Sequence, residues 1–92
     1  MRFLNSKLKI ENTILQNIAK KYGTPAYCYS YKQLRENIND FKKNFKSISP
    51  LICFAIKSNT NLNLIKEIKK FGLGADVVSM GELMLALKAG IS

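Results

Sequence analysis

The sequence predicts an α/β fold built from parallel βα units, and three observations carry that expectation. A short apolar run precedes an amphipathic helical stripe three times in succession, at intervals of roughly 25 residues. The central run, Leu51-Ile52-Cys53-Phe54-Ala55-Ile56, is continuously apolar, as a strand covered on both faces of a parallel sheet must be. Each stripe ends at a glycine or a polar loop.

The elements follow in order. Over residues 12–22, Ile14, Leu15, Ile18, Ala19 and Tyr22 recur at helical spacing. Gly23 stops this helix, because glycine adopts the left-handed backbone that closes a helix without steric cost, and Pro25 prevents continuation. Ala26-Tyr27-Cys28-Tyr29-Ser30 is short and aromatic-rich and predicts the first strand. Ser30 with Gln33 forms a capping-box pattern, and Leu34, Ile38, Phe41 and Phe45 continue it as a helix to about Lys46. Residues 47–50 make a loop, and residues 51–56 the second strand. Leu64, Ile65, Ile68 and Phe71 form the next stripe, closed by Gly72. Residues 75–78 are the third strand. Ser79 with Glu82 is a second capping box, opening a helix through Leu83, Ala86 and Leu87 to Gly90. Periodicity alone does not separate an open doubly wound sheet from part of a closed barrel.

Ninety-two residues allow one small domain, and a composition 47% hydrophobic and 23% charged with two prolines marks a chain that buries a core. The net charge of +9 raises nucleic acid as a partner, but the charges are dispersed. Lys20 with Lys21, Lys42 with Lys43 and Lys69 with Lys70 each lie near a helix end, where cations suit the helix dipole, and only Arg2 and Arg35 are arginines. No nucleic-acid partner is therefore expected. Cys28 and Cys53 lack metal-ligand spacing and are expected to be small buried hydrophobes, with no metal bound. The longest apolar run is too short to cross a bilayer and the N-terminus has no signal-like stretch, so the expected compartment is the cytoplasm, with no membrane partner.

Ligands of parallel α/β folds gather at the carboxyl ends of strands, which directs attention to Lys57, Asp76 and Ser79. An amine at the end of an apolar wall loses hydration in its charged form and becomes a better nucleophile toward aldehydes, as Schiff-base formation requires. The alternative is a lysine that merely marks where a strand leaves for solvent. Asp76 sits in an apolar stretch, where a carboxylate needs a cation such as Lys57 or else belongs to a turn after Gly72 and Gly74. Ser79 and Glu82 are accounted for by the capping box. Tyr27, Tyr29 and Tyr31 are expected to pack rather than to form a stacking platform. No dinucleotide or phosphate-loop motif occurs, and the absence of histidine removes Ser-His and Cys-His nucleophile systems.

Three segments, Tyr22-Gly23-Thr24-Pro25-Ala26-Tyr27-Cys28-Tyr29-Ser30, Phe54-Ala55-Ile56-Lys57-Ser58-Asn59 and Gly74-Ala75-Asp76-Val77-Val78-Ser79-Met80-Gly81-Glu82-Leu83, closely resemble consecutive signatures of diaminopimelate decarboxylases in order and spacing. These belong to the fold-type III pyridoxal-phosphate decarboxylases, together with ornithine and arginine decarboxylases. The resemblance runs from about Leu8 to Ser92. It implies an N-terminal (β/α)8 barrel of the TIM type, with Lys57 as the residue that bonds covalently to pyridoxal 5'-phosphate. It further implies Ala55 against the cofactor, Asp76 near the lysine, and Ser79 and Glu82 at the active-site periphery. The implied reaction converts meso-2,6-diaminopimelate to L-lysine and CO2, in a homodimer whose small-molecule substrate is an amino acid.

Residues 1–92 are expected to supply only the N-terminal portion of that barrel domain, since a whole barrel takes about 250 residues. The family's glycine-rich phosphate loop, ring-stacking histidine and C-terminal β-domain have no counterpart here, so the chain alone is expected to have little activity. Other fold-type III proteins, including ornithine-type decarboxylases, amino-acid racemases and small pyridoxal-phosphate homeostasis proteins, share the lysine strand. A rival from a different class is a small basic module binding RNA or an acidic partner through net charge, with an affinity that falls steeply with salt.

Overall fold

The computed structural model describes all 92 residues, Met1–Ser92. It divides into two units, Met1–Lys43 and Asn44–Ser92.

The first unit opens with a three-stranded antiparallel ribbon, β1 (Arg2–Leu4), β2 (Lys7–Ile10) and β3 (Thr13–Ile14). Sequence periodicity does not reveal it, because these strands are only two to four residues long. Leu4 pairs with Lys7, leaving Asn5 and Ser6 as a two-residue loop with φ of 52° and 62°. Positive φ at both loop residues matches the right-handed twist of a hairpin. Ile10 pairs with Thr13 across a second two-residue loop, in which Glu11 alone has positive φ, at 56°.

Helix α1 (Leu15–Tyr22) follows, shorter at its start than expected because Thr13 and Ile14 are held in β3. Gly23 ends it at φ 84°, donating its N–H to the Ala19 carbonyl at 2.8 Å. The strand expected over residues 26–30 does not form: the segment pairs with no other strand. Tyr27 and Tyr29 are exposed, and their nearly parallel rings lie 6.5 Å apart, centroid to centroid. An aromatic-rich sequence suits a pleated surface, but it cannot make a strand without a neighbouring edge. Helix α2 (Tyr31–Phe45) starts where the capping pattern placed it, with Ser30 Oγ accepting from the Gln33 N–H at 3.0 Å. The second half of the capping box is replaced, since the Gln33 amide donates to Asn37 Oδ1 at 2.8 Å.

In the second unit, β4 (Cys53–Ala55) and β5 (Gly74–Asp76) form a parallel pair joined through α3 (Leu62–Lys70), and α4 (Met80–Lys88) follows. This is the βαβ unit that the continuous apolar run predicts. Phe54 pairs with Ala75, and both pack on a core of Ile56, Ile65, Ala86, Ala89 and Ile91. Ile56 and Ile65 are wholly buried, each contributing roughly 1.5–3 kcal/mol of transfer free energy.

Asn61 starts α3 earlier than the apolar stripe suggests, its side chain accepting from the N–H groups of Asn63 and Leu64. Helix α4 begins after Ser79 as expected, but its buried face runs through Leu85, Ala86 and Ala89 while Leu87 is exposed. Apolar residues nearly encircle this helix, so periodicity does not phase it. At its end Gly90, at φ 96°, lets its N–H reach the Leu87 carbonyl and the Ile91 N–H reach that of Ala86, the paired bonds of a Schellman closure. Ile91 is thereby folded back into the core.

Both cysteines are free and exposed, which corrects their expected burial. Cys53 lies on the face of β4 away from the helices, and Cys28 lies in the unpaired segment. No helix is long and apolar enough to cross a membrane.

Candidate active site

Side chains alternate along a strand, so the register of β4 and β5 assigns each residue a face. Phe54 and Ala75 point to the helices; Ala55 and its partner Asp76 therefore share the opposite face. Neighbouring strands lie about 4.8 Å apart, which places these two residues side by side at the carboxyl ends of the pair. Beyond Ala55 the chain makes a single 3-10 turn, Ile56–Ser58. Ile56 plunges into the core, and Lys57 emerges at the end of the strand.

Lys57 is exposed, so the water-poor wall expected around its amine is not formed within this chain. The six-residue apolar run is itself only partly covered, with Leu51 83% exposed and Cys53 also exposed. Asp76 is exposed too, and no ion pair joins it to Lys57. A carboxylate in water needs no partner, which removes the premise that Asp76 must bond a cation.

Ser79 and Glu82 make the turn between β5 and α4. Ser79 Oγ accepts from the Glu82 N–H at 3.1 Å, as a capping box requires. The Glu82 carboxylate reaches one residue further back than the motif specifies, accepting from the Val78 N–H at 3.2 Å. A hollow of about 300 Å3 lined by Leu51, Lys69, Gly74 and Gly90 lies at the other end of the strands, away from Lys57.

The family model of the pyridoxal-binding domain of pyridoxal-dependent decarboxylases matches residues 31–92. The chain belongs to this family. It is 42% identical over 91 residues to a diaminopimelate decarboxylase of Aquifex aeolicus, covering 99% of this chain and 21% of that protein. Against a diaminopimelate decarboxylase of Neisseria meningitidis it is 44% identical over 73 residues, covering 79% of this chain and 18% of that one. A crystal structure of a protein from Aquifex aeolicus superposes with a TM-score of 0.91 at 42% identity, over 98% of this chain and 22% of that one. The chain spans about a fifth of the length of the curated relatives it matches. The fold is thus a partial α/β fold with parallel strands, as the sequence predicts.

The family's cofactor presents an aldehyde, a flat ring and a phosphate. The donor set at the strand ends fits the first two: an exposed amine free of any carboxylate, a small methyl at Ala55 and a carboxylate at Asp76 on the same face. Sequence reasoning singled out these residues but not the hydrogen bonds of the polar loop after them. Ser58 Oγ donates to the Ala55 carbonyl at 2.7 Å, and Asn59 Oδ1 accepts from the Asn61 N–H at 3.0 Å. The clustering of serine and asparagine over residues 58–61 is the signal that could have revealed this network.

Proposed function

We propose that this chain carries the cofactor-capturing lysine of a pyridoxal-phosphate-dependent diaminopimelate decarboxylase, which converts meso-2,6-diaminopimelate to L-lysine and CO2. The observation that carries the proposal is the emergence of an unpaired Lys57 amine just beyond Ala55, whose strand partner is Asp76. The substrate is supported by the names of the relatives that align over most of the chain.

Lys57 holds the cofactor covalently. Its amine is the nucleophile that would bond the aldehyde carbon of the cofactor. Ala55 offers a surface without bulk or polarity on which a flat ring can rest. Asp76 contributes negative charge on the same face of the strand pair. A pyridoxal ring held there would supply the electron sink that decarboxylation needs. Ser79 and Glu82 stand at the periphery, where their hydrogen bonds fix the turn that follows Asp76.

In this reading residues 1–92 are the N-terminal portion of a (β/α)8 barrel in a cytoplasmic homodimer. Phosphate binding and closure of the site over the substrate need groups beyond those present in these residues, so the 92-residue chain alone should show little decarboxylation. Capture can still be tested on it. Treatment with pyridoxal phosphate, reduction with borohydride and peptide mass mapping should yield an adduct concentrated on Lys57 and missing from Lys57→Ala. An even spread over the remaining lysines would refute the assignment.

A further inference from the structure

We infer that Ser58 is a positioning residue for Lys57, its hydroxyl bond to the Ala55 carbonyl fixing the turn from which the lysine projects. The inference rests on the reading of Lys57 as the capturing amine.

A single 3-10 turn is a weak structure, with poor hydrogen-bond geometry and no neighbouring turn to support it. The turn over Ile56–Ser58 has one backbone bond of its own, from the Asn59 N–H to the Ile56 carbonyl at 3.0 Å. Two further constraints enclose Lys57. On one side Ile56 is wholly buried and anchors the turn to the core. On the other, the 2.7 Å bond from Ser58 Oγ back to Ala55 spans both Ile56 and Lys57. The lysine is thus held between a buried anchor and a side-chain clasp.

Lys57 makes no ion pair or hydrogen bond, and a free lysine side chain carries about 2 kcal/mol of rotamer entropy. Backbone direction is therefore the main restraint on where its nitrogen reaches. Removing the hydroxyl leaves the turn held at the Ile56 end alone and widens the volume the amine explores. Ser58 does not react; it acts through Lys57.

The test is internal competition among the lysines of one chain. The unmodified protein and the variants Ser58→Ala, Ser58→Thr and Asn61→Ala are labelled with limiting pyridoxal phosphate and reduced with borohydride. Peptide mapping then gives the ratio of label on Lys57 to that on the other twelve lysines. Ser58→Ala should lower the ratio about fivefold, the effect of one ordinary hydrogen bond. Ser58→Thr, which keeps the hydroxyl, should preserve it. Asn61→Ala removes the α3 cap but not the clasp, and should leave the ratio unchanged.

An unchanged ratio in Ser58→Ala, with label still concentrated on Lys57, overturns the role of Ser58 and leaves the Lys57 assignment standing. Loss of selectivity in Ser58→Thr or in Asn61→Ala to the same extent also overturns it, since the cause is then not the hydroxyl clasp. Absence of any preference for Lys57 in the unmodified chain defeats the Lys57 reading and this inference together.

Discussion

The two units draw on similar side chains and bury them very differently. Residues Met1–Lys43 bury one hydrophobic residue, Ile38, whereas Asn44–Ser92 bury six: Ile56, Ile65, Ile68, Ala86, Ala89 and Ile91. Phe3, Tyr22, Tyr27 and Phe41 of the first unit all remain largely exposed. The contrast teaches that apolar content alone does not make a core. A parallel strand pair flanked by helices converts it into burial, and a ribbon of very short antiparallel strands does not.

The contrast is sharpest at two isoleucines. Ile65 has no exposed surface, and Ile65→Ala should cost about 2–5 kcal/mol, whereas Ile38→Ala, at the one buried hydrophobic residue of its unit, should cost less than about 2 kcal/mol. Urea titration followed by far-ultraviolet circular dichroism measures both, and equal losses would break the comparison. A smaller effect probes why the first unit is thin. Ser6 sits at φ 62° in its hairpin loop, so Ser6→Gly should stabilise the ribbon by about 1 kcal/mol and slow amide exchange in β1 and β2. Unchanged exchange would mean that the loop backbone is not what limits the ribbon. The smallest effect belongs to the surface of the second unit. Glu67→Gln removes the 3.0 Å pair with Lys70 and should cost no more than about 0.5 kcal/mol, vanishing in high salt.

Legibility in the sequence follows the same division. The βαβ unit was readable because Leu51-Ile52-Cys53-Phe54-Ala55-Ile56 has a composition that few other environments accommodate, and because Gly72 and Gly90 close the helices that follow. Ser30 and Ser79 announced their helix starts for an equally local reason: a hydroxyl three residues before a free N–H. The ribbon was hidden because its loops use Asn5-Ser6 and Glu11, residues without the glycine that usually advertises positive φ. The strand expected at residues 26–30 failed because pairing is a property of two segments, and the sequence of one does not declare whether an edge stands beside it. At the candidate site, residue types pointed to Lys57 and Asp76, the family resemblance added Ala55, and the register placed Ala55 beside Asp76. The exposure of Lys57 and Asp76 was not readable, since apolar neighbours in sequence do not guarantee apolar neighbours in space.

The distribution of aromatic residues has a spectroscopic consequence. The chain has no tryptophan, and its four tyrosines, Tyr22, Tyr27, Tyr29 and Tyr31, all fall in the first unit. Intrinsic phenol emission is therefore a private reporter of that unit, while melting of the isoleucine core passes unseen at the same wavelengths. A tryptophan placed in the second unit would give each half of the molecule its own colour.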